Sequence, residues 1–411
     1  MTKQRVVLIF LGVLLVIGLI ITGIKLKPAP IPPTPTPTPC VDVNLVGGDS
    51  FFNEAKIPTA LYARYKELGF CPKVLSNSGA DAYKPNGDAV DYGYQDKEVN
   101  ALQPGAITAE QEMIETYKGT TLPSSGNPKK INSTVTFART PLPFFGKADL
   151  TAALLKANYV YLADDSYHMT KERVKEIILA DINGYCWKLD TNDTYCNDPA
   201  KVLGVDYPGP VKLGFGNPAK SSGARGSLAF ALSCLDNDTC QQTVTPEQIE
   251  DKYYQDSLVQ MIRVAAGLTG RDDSLAFCLN YFDNDKNPVS LLIAGESCYA
   301  SWWYGMSDTL KERNKDKNIP IYQEYLVINE FALIPLDQTG IDFVNAIAKD
   351  DIVRQELSKM GYQAGAYNTP PENVPGIDMN KNYQTIAPPL PIVMSTIKTV
   401  GADWDSGKYG K

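Results

Sequence analysis

The chain has 411 residues, more than one ordinary core, with 39 Lys and Arg against 47 Asp and Glu and a net charge of −8. The signs are interspersed and form no basic stripe, which argues against nucleic acid as a partner. A single histidine argues equally against a catalytic zinc or a histidine-built metal centre, and no cofactor is expected.

Residues 6–24 form an unbroken apolar run preceded by Lys3 and Arg5, which predicts a membrane-spanning helix and sets residues 1–27 apart as an anchor. A cleaved signal peptide is the alternative, but no small-x-small site follows in "TGIKLK", so the anchor is read as retained. Residues 28–40, "PAPIPPTPTPTPC", hold the chain in an extended polyproline conformation. At about 3.1 Å per residue they make a semi-rigid stalk of roughly 35–40 Å. The expected location is the cell membrane, single-pass, with the body extracytoplasmic.

That routing favours disulfides over metal ligands for the even set Cys40, Cys71, Cys186, Cys196, Cys234, Cys240, Cys278 and Cys298. Pairing of nearest neighbours is one of many connectivities that eight cysteines permit. Sequons at Asn132, Asn192 and Asn237 fit an exported, glycosylated surface.

The body alternates short β-branched runs with helical periods, the signature of an α/β fold. "VDVNLVGG" reads as a strand turning at Gly47 and Gly48 into the helix "FFNEAKIPTALYARYKELG", with Asp49 or Ser50 as its N-cap. Residues 76–126 read as long loops around one helix, "TAEQEMIETYKG". "STVTFARTPLPFF" is a strand ending in a Pro-bracketed turn before the helix "KADLTAALLKA", and "KERVKEIILADI" is a further helix. "GPVKLGFGN" is a strand that meets the Ser/Gly-rich turn of "PAKSSGARGSLAFALSC". "PEQIEDKYYQDSLVQMIRVAAGL" reads as one long helix. "PVSLLIAGESCYASWWYG" repeats strand, turn and helix, with Trp302, Trp303 and Tyr304 read as core. "GIDFVNAIAKDDIVRQELSKMG" gives two short helices, and the proline-rich tail closes in the helix "PIVMSTIKTVGADW".

Four junctions therefore run from a buried-looking strand through a small polar turn into a helix: Gly48-Asp49-Ser50, Arg139-Thr140-Pro141, Ser221-Ser222-Gly223 and Glu296-Ser297. Ligands sit at such carboxyl ends of strands in open α/β sheets. Helix starts leave N–H groups unpaired and carry partial positive charge, so these turns suit an anion.

Single motifs suggest two other chemistries. "GGDSFF" resembles the first block of the GDSL/SGNH esterases, and Asp165-Ser166-Tyr167-His168 matches their Asp-x-x-His block. Serine chemistry would need His168 within hydrogen-bond distance of Ser50. More than half the chain follows His168 and no Gly-x-Asn-Asp block exists, so the esterase stays an alternative and no residue is assigned as catalytic. The other reading of His168 is a surface loop residue just before the helix near Thr170. "DNDKNP" and "DTNDTY" lack the glycine and the closing glutamate of a calcium loop, leaving no metal site expected.

The segment Asn217-Pro218-Ala219-Lys220-Ser221-Ser222-Gly223 resembles the Asp-Pro-x-x-Ser-x-Ser-Gly turn of type 2 periplasmic-binding-protein-like solute receptors. The turn at Gly48 to Ser50, "TPL" at Thr140, "WKLDTN" at Trp187, "LLIAGES" at Glu296 and "FVNAIAKDDIVRQELSKMGYQAG" are similar to further blocks in the same order. The tail "PLPIVMSTIKTVGADW" resembles the subgroup often fused to a von Willebrand factor A domain. Asn217 and Gly295 depart from the family's Asp and Tyr.

The resemblance implies an α/β, two-lobed type 2 periplasmic binding protein fold with a hinge. Lobe 1 is expected over 41–138, lobe 2 over 139–295, and a return to lobe 1 with the tail over 296–411. Ser50, Asp49 and Ser78 would face the ligand from lobe 1, with Arg139, Thr140, Ser221, Ser222, Gly223, Arg225, Glu296 and Ser297 from hinge and lobe 2. Arg225 and Arg139 favour an oxyanion or a carboxylate. The implied function is capture of a small anionic solute by hinge closure, with an ABC transporter permease as partner and no catalysis. A surface structural or adhesive protein is the remaining alternative.

Overall fold

The computed structural model describes residues 39–76, 99–103, 134–236, 240–266, 268, 271, 274–364, 374–377, 383–387 and 389–409. The expected anchor, nearly all of the stalk, the helix at 108–119, Ser78, Asn132 and Asn237 lie outside them. Among the described residues no helix is long and apolar enough to cross a membrane.

Among the described residues, twelve strands build two six-stranded sheets. In chain order they are β1 (Val41–Gly47), β2 (Phe70–Ser76), β3 (Ala101–Gln103), β4 (Val135–Pro141), β5 (Phe144–Lys147) and β6 (Tyr161–Ala163). Then follow β7 (Ser166–Met169), β8 (Leu213–Gly214), β9 (Leu291–Ile293), β10 (Asn318–Gln323), β11 (Tyr325–Pro335) and β12 (Gln384–Ile386). The first sheet runs β12-β11-β3-β1-β2, with β4 also paired to β11, and the second runs β6-β7-β10-β5-β9-β8.

Among the described strands, the chain passes from one sheet to the other from β4 to β5 through Leu142 and Pro143 and from β10 to β11 through Glu324. These passages lie side by side, since the Leu142 N–H donates to the Val327 carbonyl at 3.1 Å. The sequence places the return at residue 296, but β9, β10 and the helix Glu296–Tyr304 remain with the second sheet. The expected boundary marked a strand-turn-helix junction inside that lobe. In the tail, the helix Pro391–Asp405 buries Val393, Ile397 and Val400 in the core that covers one face of the second sheet.

Strand alternation explains why the second sheet is covered on both faces. Phe144 and Phe145 are adjacent in β5 and fully buried, yet they enter different clusters. Phe144 joins Leu150, Ile178 and Leu258, whereas Phe145 packs on Phe282 and Tyr299 at ring distances of 5.2 Å. In β9, Leu291 and Ile293 likewise face one cluster and Leu292 the other.

The first sheet buries Val43, Leu45 and Phe137 against Phe51, Phe52, Phe343 and Val353. Asp337 and Asp350 cap the helices Gln338–Lys349 and Asp351–Lys359, accepting from the N–H groups of Gly340 and Val353 at 2.8 and 2.9 Å. Asp350 also accepts two hydrogen bonds from Arg64 at 3.1 and 2.6 Å, which joins the helix Thr59–Glu67 to this layer.

Two long helices expected from sequence are broken. The first divides into Asp49–Phe52 and Thr59–Glu67 because Pro58 sits at its boundary with extended ψ of 135°. The other divides at Asp251, also extended at ψ 140°, into Pro246–Glu250 and Lys252–Ala266.

The cysteines join as Cys40–Cys71, Cys186–Cys196, Cys234–Cys240 and Cys278–Cys298. The last links the helices Ser274–Asp283 and Glu296–Tyr304. Asn192 lies exposed in a turn.

Candidate functional site

A cavity of about 560 Å³ opens where residues of both lobes meet. The first lobe contributes Gly48, Ser50, Lys56 and Gln103, and the passing strands contribute Thr140 and Asn329. From the second lobe come Lys220, the turn Ser221 to Arg225, and Ser297.

Local chemistry positions each part. β1 ends in Gly47 and Gly48 with φ of 80° and 77°, a conformation that directs the chain into the single turn carrying Ser50. A Cβ on Gly48 would stand 2.7 Å from the Phe52 ring, so the close turn requires glycine. In the second lobe Ser221 is the N-cap of the helix Ser222–Ser233, its hydroxyl accepting from the Ala224 N–H at 3.1 Å. The cap aims the start of that twelve-residue helix at the cavity.

The same turn is braced from behind. Arg271, buried itself, donates to the carbonyls of Phe215 and Gly216 at 3.1 and 3.2 Å. Asn217 donates to Asp405 at 2.9 Å, fastening the turn to the C-terminal helix.

At the passage between lobes, the Thr140 hydroxyl accepts from the Ser297 N–H at 3.0 Å and so caps the helix Glu296–Tyr304. Two helix starts, at Ser222 and Glu296, therefore meet one cavity, together with the hydroxyl of Ser50. Each start brings partial positive charge.

The side chains reinforce that sign. Among the described lining residues the charged ones are Lys56, Lys220 and Arg225, with no carboxylate. Tyr362 also lines the space, and burial pushes its hydroxyl up to about 12, partly offset by a hydrogen bond from Ser297. It stays neutral at physiological pH and adds no negative charge.

Of the residues expected from sequence, Ser50, Thr140, Ser221, Ser222, Gly223, Arg225 and Ser297 are brought to this cavity. Arg139 is not, since alternation along β4 turns it away from the face that Thr140 presents. Its guanidinium pairs with Glu330 at 2.8 Å. Glu296 is buried beneath the cavity wall, accepting from the Tyr322 hydroxyl at 2.5 Å. The backbone of Asp49 lies in the first turn, and Ser78 lies outside the described residues.

His168 departs furthest from its surface expectation. It is fully buried in β7, with ring centroids 5.6 Å from Tyr161 and 5.8 Å from Tyr322. The hairpin of β6 and β7, turning at Asp164 and Asp165 with positive φ, carries it into the second sheet. It does not line the cavity that Ser50 lines, so the esterase pair is not assembled.

Lys56 and Lys220 were missed by motif reading. Lys220 stands inside the Ser-rich turn and its charge was a visible signal, whereas nothing near Lys56 distinguishes it from a solvated helix-loop lysine.

No protein-family model matches the sequence, and no curated protein matches it. Among solved structures, the chain is similar to the periplasmic binding protein AfuA from Actinobacillus pleuropneumoniae with exogenous fructose-6-phosphate bound. The TM-score is 0.50 at 11% identity, covering 89% of this chain and 97% of that one. It is similar also to apo ferric ion-binding protein A from Pasteurella haemolytica, with a TM-score of 0.50 at 10% identity over 90% of this chain and 98% of that one. The likeness shows the fold, the two-sheet α/β architecture of periplasmic solute-binding proteins.

Proposed function

We propose that this protein is an extracytoplasmic solute-binding protein that captures a small anionic ligand between its lobes. The observation that carries the reading is the meeting of two helix starts with Lys56, Lys220 and Arg225 around one cavity with no described carboxylate. That balance favours a negatively charged group, such as the phosphate of the fructose-6-phosphate on one structural neighbour, over a bare cation such as the ferric ion in the other neighbour's name. A hard trivalent cation would call for anionic oxygen donors.

Capture works by differential contact. A ligand held by Ser50 and Lys56 on one side and by Ser221 to Arg225 on the other stabilises the closed arrangement over the open one. The two short passages at Leu142 and Glu324 are where such closure would bend. In this reading residues 144–323, with the helix Pro391–Asp405, behave as the moving lobe, the N-terminal run tethers the body to the membrane, and an ABC-type permease receives the solute. Kinship with the subgroup fused to von Willebrand factor A domains rests on the tail's sequence alone. No catalytic step is assigned.

Thermal unfolding of the full chain against phosphate, sulfate, organic phosphates, carboxylates and neutral sugars tests the reading. A ligand that binds only the folded state raises Tm, by about 2.7 kcal/mol of stability at a hundredfold excess over Kd. Anions alone are expected to do so. A flat response, or a response to neutral sugars only, would contradict it.

A further inference from the structure

The cationic turn occupies only part of the cavity wall. Leu275, Phe277 and Cys278 reach it from the helix Ser274–Asp283, Leu292 from β9 and Cys298 from the helix Glu296–Tyr304. Met360 reaches it from the first lobe. Phe277, Cys278, Leu292 and Cys298 belong to one continuous buried cluster whose inner side is the core of the second lobe. The Cys278–Cys298 disulfide fixes the two helices that present them. The wall is thus a built apolar surface, held rigid behind and faced from the opposite lobe.

We infer that the ligand is an organic anion with an apolar body, its charged group on the Lys220–Arg225 turn and its body against Leu275, Phe277, Met360 and the Cys278–Cys298 disulfide. This rests on the anion-binding reading above and narrows it. Two observations carry the narrowing. A cavity of about 560 Å³ is of the size that encloses an organic molecule and is far larger than a bare tetrahedral oxyanion fills. Against Leu275, Phe277, Met360 and the disulfide, a sugar body would set hydroxyls on carbon and sulfur, where hydrogen bonds to water are lost and only neighbours such as Gln103, Ser301 and Asn329 could replace them. An apolar body instead removes both surfaces from water.

Leu275 has a special place in this arrangement. It lines the cavity yet retains 42% of its exposure, so it has apolar area left to bury when a ligand arrives. Its exposure also makes it replaceable without opening a core void.

The test holds the charged group constant and varies the body. Calorimetric titration of the full chain would compare inorganic phosphate, fructose-6-phosphate and phenyl phosphate, then acetate and phenylacetate, with benzyl alcohol as the uncharged control. The inference expects phenyl phosphate and phenylacetate to bind at least about tenfold tighter than the other members of their sets, with a negative heat-capacity change. Leu275→Ser should lower that preference ratio severalfold. Fructose-6-phosphate or inorganic phosphate binding as tightly as phenyl phosphate would overturn the apolar-body inference while leaving an anion-binding protein. Benzyl alcohol binding as well as phenylacetate, or no anion binding at all, would overturn both readings.

Discussion

The Thr140 hydroxyl and the Ser297 backbone N–H, 157 positions apart, share a buried hydrogen bond of 3.0 Å that ties the first strand passing between the lobes to a helix start beside the cavity. The bond serves two ends: it satisfies an N–H that the helix Glu296–Tyr304 cannot, and it fixes Ser297 where a ligand would meet it.

Thr140→Val keeps the shape and removes the acceptor. A buried donor left unmatched costs about 1–3 kcal/mol. Denaturant unfolding should report that loss without a change in m-value, and any anion identified should bind more weakly. Stability equal to that of the parent would mean that the Ser297 N–H finds another partner.

Gly361 turns the chain behind the same helix at φ 83°, and a Cβ there would stand 2.4 Å from the Ala300 Cβ and 2.7 Å from the Ser297 Cα. Gly69 has a comparable φ of 90°, but a Cβ there would meet nothing within 4 Å. Gly69→Ala should therefore cost only the conformational strain of about 1–2 kcal/mol. Gly361→Ala should cost more, because overpacking of a further 1–3 kcal/mol adds to it. Equal Tm shifts in the two variants would remove the clash from the explanation.

Asp181 supplies a pH signature. It is buried in the helix Lys171–Ile182 and accepts from the Leu213 N–H at 2.9 Å, yet burial still pushes its carboxyl up to about 7. The unfolded chain releases this proton near pH ~4, so between that pH and about 7 the folded state holds more protons. Its contribution to stability is present below pH ~4 and is lost as pH rises through about 7. Asp181→Asn should flatten this fall, leaving the variant more stable above neutrality by on the order of 1–4 kcal/mol. Parallel stability profiles from pH 4 to 8 in the two proteins would contradict the assignment.

The architecture was legible wherever local chemistry and fold agree. Gly47 and Gly48, the Ser221 cap and the Gly295-Glu296-Ser297 turn each announce a strand passing into a helix, and all three meet the cavity. Side-chain direction was not legible. Arg139 and Thr140 are neighbours with opposite facings, and Glu296 points under the wall to Tyr322 while Ser297 lines it. That choice depends on which face of a strand or helix meets the other lobe, which local sequence does not encode. His168 misled for a related reason: the strand Ser166–Met169 is too short for alternation to register, and its Asp164-Asp165 turn is a weaker hairpin signal than Asn-Gly. The apolar half of the cavity was hidden because Leu275, Phe277 and Leu292 look like any core residues.

In the proposed binding mode one anion is gripped from both lobes, and Lys56 and Lys220 place one exposed cation on each side of the cavity. Calorimetric titration of Lys56→Gln, Lys220→Gln and the double variant with whichever anion raises Tm most is the most direct test. Each single substitution should weaken binding about fivefold to tenfold. Full affinity in both single variants and in the double variant would contradict a grip on the anion from both lobes.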